Sequence, residues 1–274
     1  MQLYSTNNHQ HIVSLREAVL HSLPPDNGLY LPVQLPRLPE AFFQKLPQLS
    51  FNDIAFEVSR NLIGEEIPQK DLRELIDSAF DFTAPLVPLS DHLHILELFH
   101  GPSLAFKDFG ARFMSRLMSY FNRNETRPLR ILVATSGDTG GAVAAGFHGA
   151  PGIEVVILYP SGKVSPLQEK QLTTWGDNIH AIEVEGVFDD CQRLVKQAFL
   201  DPKLNRHHRL SSANSINIAR LIPQSFYYFE AWKQLPQPAE PVFVVPSGNF
   251  GNLTAGLLAQ RMGLPVRHFV AATN

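Results

Sequence analysis

Through the last two thirds of the chain, short apolar runs at 94–98, 130–134, 154–159, 179–184, 242–245 and 267–271 alternate with stretches of helical periodicity. Few architectures accept that alternation. A strand, a helix and another strand form a crossover unit, and a series of such units builds an α/β domain with a mostly parallel sheet and helices on both faces. Ligands of these sheets sit beyond the carboxyl ends of the strands. Two turns at those ends carry glycine: Thr135-Ser-Gly-Asp-Thr-Gly140 and Pro246-Ser-Gly-Asn-Phe-Gly-Asn252. Glycine lets the backbone approach a ligand, and the amides of a helix N-terminus face negative charge, so each turn is an anion cradle by construction.

A lysine accompanies the cradles. From Phe106 the apolar residues recur as Phe106, Phe109, Phe113, Leu117, Tyr120 and Phe121, one buried helical face, and Lys107 lies off that stripe at the helix start, after the loop closed by Gly101-Pro102. An amine at the positive end of a helix, among phenylalanines and with Asp108 as its only close acid, is expected to give up its proton more readily. A neutral amine can form a Schiff base. One such lysine with two anion cradles suggests a phosphorylated aldehyde cofactor.

The first eighty or so residues read differently. Helical patterns near Leu15–Leu20, Phe51–Ile63 and Leu72–Phe80 are separated by Pro24-Pro25, Pro32, Pro36, Pro39 and Pro68, which predicts a small helical N-terminal domain. Its boundary is expected in Thr83-Ala-Pro-Leu-Val-Pro88, giving domains 1–84 and 85–274. Pro223 is expected to break or kink the helix predicted over 216–235, and the proline-rich stretch 236–241 reads as a rigid connector. Arg206-His-His-Arg209 reads as a solvated loop.

A net charge of −3 gives no electrostatic reason to expect nucleic acid or an anionic membrane as partner. Cys191 is the sole cysteine and falls on the stripe Phe188, Cys191, Leu194, Val195, Ala198, Phe199, so it reads as a packing residue in a reducing compartment. The eleven histidines lack partners at ligand spacing, and no metal is expected. The N-terminus lacks a signal-peptide pattern and no run is long enough to span a bilayer, which makes the cytoplasm the default expectation.

The segments Phe99-His-Gly-Pro-Ser-Leu-Ala-Phe-Lys-Asp-Phe109, Ala134-Thr-Ser-Gly-Asp-Thr-Gly140, Ser211-Ser-Ala-Asn-Ser-Ile-Asn217 and Val245-Pro-Ser-Gly-Asn-Phe-Gly251 together resemble the bacterial threonine synthases, pyridoxal-phosphate enzymes of fold type II, the tryptophan-synthase-β type. The resemblance runs from Met1 to Asn274. Chains of that family continue past the point matched by Asn274, so the fold is expected to be incomplete at its carboxyl end. The resemblance implies a small-molecule substrate, O-phosphohomoserine, which with water gives L-threonine and phosphate. Lys107 matches the Schiff-base lysine and would move protons at the substrate Cα. Ser247, Gly248, Asn249, Phe250, Gly251 and Asn252 would cradle the cofactor phosphate, with Ser136, Asp138 and Thr139 in the second cradle. Asp138 stands where the wider fold type carries asparagine; a carboxylate would repel the substrate's own, so Asp138 is expected to bond amides or the cofactor side, leaving Ser136 and Thr139 to the substrate. Lys163 and Arg220 match substrate-phosphate contacts, arginine forking onto two oxygens and lysine acting as a point charge, and Ser165 and Asn217 are expected to complete the set. Two other readings are a phospholyase or dehydratase relative that gives a keto acid, and a truncated, non-catalytic pyridoxal-phosphate fold.

Overall fold

Leu3 and Ser5 are buried at the start of the chain because β1 (Gln2–Ser5) is the centre of an antiparallel sheet, with β2 (Ile12–Ser14) on one side and β3 (Tyr30–Pro32) on the other. The computed structural model describes residues 1–237, 239–246 and 249–273. This sheet corrects the purely helical expectation for the first eighty residues. Strands of three and four residues are too short to display a period of two, and their partners are supplied by the fold.

The helices of this region follow the periodicity closely. α1 (Leu15–His21) starts where Ser14 accepts from the Glu17 amide; α2 (Glu40–Lys45) is short. α3 (Phe51–Ile63) opens on a capping box between Ser50 and Asp53 and stops at Gly64, whose φ of 65° no longer suits a helix. α4 (Gln69–Ala79) follows Pro68. Phe51 and Phe80 reach beyond this region and pack against Phe109 of α5 (Lys107–Asn122). The N-terminal region and the remainder therefore share one core.

Between α4 and α5 lies a hairpin of β4 (Leu86–Ser90) and β5 (Leu93–Leu96). The crossover units follow in order: β6 (Leu129–Ala134), α6 (Asp138–Phe147), β7 (Ile153–Pro160), α7 (Pro166–Thr173), β8 (Ile179–Val184), α8 (Phe188–Leu200), α9 (Pro202–His207) and β9 (Arg209–Ser212). Their strands form an all-parallel sheet in the order β8-β7-β6-β9. Alternation along β6 sends Ile131 and Val133 to the main core and Leu132 and Ala134 to the opposite face, where Cys191 and Val195 of α8 cover them. Cys191 is fully buried and burial raises its thiol pKa, as a packing residue requires. Arg206 and His207 end α9 and Arg209 begins β9, so the basic knot is ordered structure rather than a loop.

α10 (Ile218–Gln234) is buried on all sides from Ile218 to Trp232 and packs on α3, α5 and α11 (Gly251–Arg261). Of the break or kink expected at Pro223, the break does not occur: the helix runs through it without ending. The ring removes one amide donor, worth about 3 kcal/mol in an exposed helix, and the helix is held by the apolar side chains packed round it. β10 (Val242–Pro246) and β11 (His268–Ala272) form a separate parallel pair, so the expected parallel sheet is divided in two. Val244 on β10 and Ile95 on β5 stay exposed. No helix among the described residues is long and apolar enough to cross a membrane.

Candidate active site

A cavity of about 380 Å³ opens where α5, α6, α10 and α11 bring their N-terminal turns together. Lys107, the first residue of α5, contributes its amine, which donates to Asp138 Oδ2 at 3.2 Å and lies 4.7 Å from the centre of the Phe106 ring. The lysine's nearest acid is thus not its neighbour in sequence. Asp108 turns into the protein, where its carboxylate accepts from the Ser103 amide at 2.9 Å and the Ser103 hydroxyl at 2.6 Å, closing the loop that precedes the lysine. Burial raises the Asp108 pKa and those bonds oppose the rise.

Asp138 heads α6 and has two partners. Gln168 of α7 donates from Nε2 to Oδ1 at 2.8 Å, and Lys107 takes the other oxygen. Burial pushes this carboxyl up, but the charge of Lys107 and the hydrogen bonds from Gln168 and Lys107 outweigh it, and Asp138 sits below the usual carboxylate range. Gly137 makes room for the arrangement: its φ is 140°, and a Cβ there would lie 2.5 Å from the Gln168 amide. In the same turn the amides of Gly137 and Gly140 already donate to Thr135 Oγ1, at 3.0 and 2.8 Å. Ser136 and Thr139 line the cavity.

Arg220, in the first turn of α10, is 1 % exposed and lines the same cavity. Its Nη1 donates to the Ala213 carbonyl at 2.7 Å, while Nε is buried with no partner among the described residues. Burial pushes the guanidinium down to about 10, with the charge of Asp108 opposing. α5 leaves space for it at Gly110, where a Cβ would come within 2.6 Å of Nε. A buried cation with an unused donor calls for an anion. Across the cavity, Asn249, Gly251 and Asn252 form the start of α11. A primary amine, a buried guanidinium and the helix starts around one cavity fit an anionic aldehyde such as pyridoxal phosphate.

Comparison with known proteins agrees with that chemistry. The family described as "Pyridoxal-phosphate dependent enzyme" matches residues 84–274, and that described as "Threonine synthase N terminus" matches residues 2–80. The chain belongs to the pyridoxal-phosphate-dependent enzyme family. Over its whole length it is 50 % identical to threonine synthase of Escherichia coli K12 and 49 % identical to that of Serratia marcescens, in each case covering 64 % of the relative. Among solved structures, threonine synthase from Escherichia coli superposes with a TM-score of 0.92 at 49 % identity, the chain covering 64 % of it. Pyridoxal-phosphate-bound threonine synthase from Brucella melitensis gives 0.93 at 40 % identity, the chain covering 61 % of it. The chain thus spans just under two thirds of the length of these relatives.

The remaining residues singled out in sequence fall in different places. Ser247 and Gly248 lie outside the described residues. Phe250 caps α11 in a left-handed conformation, φ 51°, and its carbonyl accepts from the Thr254 amide and hydroxyl. Lys163 is exposed on the loop before α7 and does not line the cavity. Ser165 is the N-cap of α7, its hydroxyl bonded to Gln168. Asn217 is fully buried: Nδ2 donates to the Val19 carbonyl and Ser22 Oγ, both at 2.9 Å, and Oδ1 caps α10 through the Ala219 amide. With its amide spent on the protein, Asn217 is not brought to the cavity. Its replacement, Asn217→Ala, is expected to lower stability by about 2–3 kcal/mol in urea unfolding, the loss of a cap and two buried bonds.

Gln168 and Gln224, which no motif marks as site residues, also line the cavity, as does Ser215 from the segment Ser211–Asn217. A signal for Gln168 existed. Ser165-Pro-Leu-Gln168 is a capping-box pattern with proline at the first helical position, and it places the glutamine on the first turn of α7. Among the described residues, no group of three or more His, Cys, Asp or Glu side chains could hold a metal ion.

Proposed function

We propose that this chain carries the catalytic chemistry of a threonine synthase, converting O-phosphohomoserine and water to L-threonine and phosphate. The observation that carries the reading is Arg220, a buried guanidinium that lines the cavity that holds Lys107 and has no carboxylate paired with it among the described residues. A single cofactor phosphate would be served by the helix start at Gly251. A second cation, deep and unpaired, supports a second anionic group on the substrate.

When bound, pyridoxal phosphate supplies the electron sink for the carbanion chemistry. Lys107 would bind the aldehyde and, once freed, hold and move the proton at the substrate Cα. Asn249, Gly251 and Asn252, with Ser247 and Gly248, would take the cofactor phosphate at the start of α11. Ser136 and Thr139 would orient the substrate carboxylate. Arg220 would hold the substrate phosphate as it leaves, and Lys163 would add positive charge on the approach.

The test is product identity. The chain supplied with pyridoxal phosphate and O-phosphohomoserine is expected to release phosphate and L-threonine in equal amounts. Phosphate with 2-oxobutyrate would replace this reading by elimination and hydrolysis, and no phosphate release would remove it.

A further inference from the structure

Gln168 is held at both ends of its amide. In the capping box of α7, its Oε1 accepts from the Ser165 amide at 3.3 Å and the Ser165 hydroxyl at 3.1 Å, while Nε2 donates to Asp138 Oδ1 at 2.8 Å. The orientation is forced rather than chosen. The Ser165 N–H can only donate and an ionised carboxylate can only accept, so the oxygen must face the helix cap and the NH₂ must face Asp138. Gly137, with no side chain, allows the amide to lie against the turn that leads into Asp138. The result is a relay of contacts from the first turn of α7 through Gln168 and Asp138 to the amine of Lys107.

We infer that Gln168 is a positioning residue for Lys107: it fixes the Asp138 carboxylate against the lysine and ties that ion pair to the first turn of α7. The inference rests on the reading of Lys107 as the cofactor-bearing residue. A bond between Gln168 and one oxygen leaves the other directed at the amine. Without that donor the half-exposed carboxylate can rotate to water, and the lysine loses its fixed counter-charge.

Two substitutions separate this role from helix capping. Gln168→Glu keeps an acceptor for the Ser165 amide, since glutamate also completes a capping box, but turns an oxygen rather than NH₂ toward Asp138. It adds a second negative charge to the side of Asp138 that Gln168 occupies, and so to the surroundings of the Lys107 amine. Gln168→Ala removes cap and donor together and sets Asp138 loose. The readout is the rate at which trace acetic anhydride acetylates Lys107 in the cofactor-free chain at neutral pH, relative to the exposed Lys70, measured by peptide mass spectrometry. Gln168→Glu is expected to slow Lys107 about three- to tenfold, the effect of one added charge within a few ångströms. Gln168→Ala is expected to speed it about twofold, the smaller effect of loosening one exposed ion pair. Opposite signs are what a purely structural glutamine would not produce. Equal rates in all three chains, or a change of the same sign in both variants, would overturn the inference. If one variant fails to fold, the other is judged against its own expected sign. Capture of pyridoxal phosphate by the parent chain is read in parallel. Its absence, with the labelling signs as expected, would remove the role of Lys107 as cofactor residue and leave the positioning role standing.

Discussion

Lys107→Ala abolishes the absorption band that pyridoxal phosphate forms with the chain, and borohydride reduction then leaves no pyridoxyl group on the peptide containing position 107. The expectation follows from placement. Lys107 is off the buried face formed by Phe109, Phe113 and Leu117, its side chain is 20 % exposed, and its one ion pair is to a half-exposed carboxylate. Truncation therefore alters stability by no more than about 0.5 kcal/mol. Turnover falls by about 10²–10⁴-fold or more, the range for loss of a positioned proton-transfer group. Asp138 registers the change as well: with the lysine's charge gone and burial unchanged, its carboxyl moves up toward ordinary values, which NMR titration of the variant would report. A band that survives in Lys107→Ala would assign the aldehyde chemistry to a different lysine.

The second large effect is expected at Arg220, and it splits stability from binding. Burial pushes the Arg220 guanidinium down to about 10 in the folded chain, from its higher ordinary value. Between those values the unfolded chain holds a proton that the folded chain has released, so stability rises with pH in that window; below about 10 the penalty for burying the charge is fully present. It amounts to about 3 kcal/mol. Arg220→Met keeps the bulk and removes the charge, leaving the Ala213 carbonyl short of one donor. Its thermal midpoint is expected to equal or exceed that of the parent, as when other buried charges give way to apolar groups. Affinity for O-phosphohomoserine is expected to fall about 10–100-fold, the value of a charge-assisted hydrogen bond. Inorganic phosphate should raise the parent's thermal midpoint and leave that of Arg220→Met unchanged. A variant that unfolds readily but binds substrate normally would mean that Arg220 is a structural cation.

β6, β7, β8, β10 and β11 were legible as short, mainly apolar runs bounded by turn chemistry, whereas β9, Arg-Leu-Ser-Ser, has one apolar residue and takes its strand from pairing with β6; the lysine stood out against the period of its own helix. Other features depend on partners that no local pattern encodes. β1, β2 and β3 are too short to show alternation and exist through pairing with one another. Pro223 reads locally as a helix breaker, but α10 is enclosed on every side and its packing decides the matter. Asp108 is adjacent to Lys107 in sequence and faces away from it, whereas Asp138, thirty-one residues on, supplies the contact. The same gap between sequence and space applies to the anion residues. Arg220, Ser165 and Asn217 read alike as polar groups in motifs, yet only Arg220 is aimed into the cavity; the other two spend their side chains on helix caps.

Asn217 has a wider meaning for how the molecule can be dissected. It fastens the carbonyl of Val19 and the hydroxyl of Ser22, at the end of α1, to the first turn of the helix that bears Arg220. Phe51 and Phe80 plug the same helix and α5 from the other side. A minimal enzyme cut at residue 84 would strip both supports at once, fraying the turn that aims the arginine and wetting the aromatic layer beneath the lysine. The leading segment buttresses from behind the helices that line the cavity, and engineering that treats it as a removable module will lose the cavity with it.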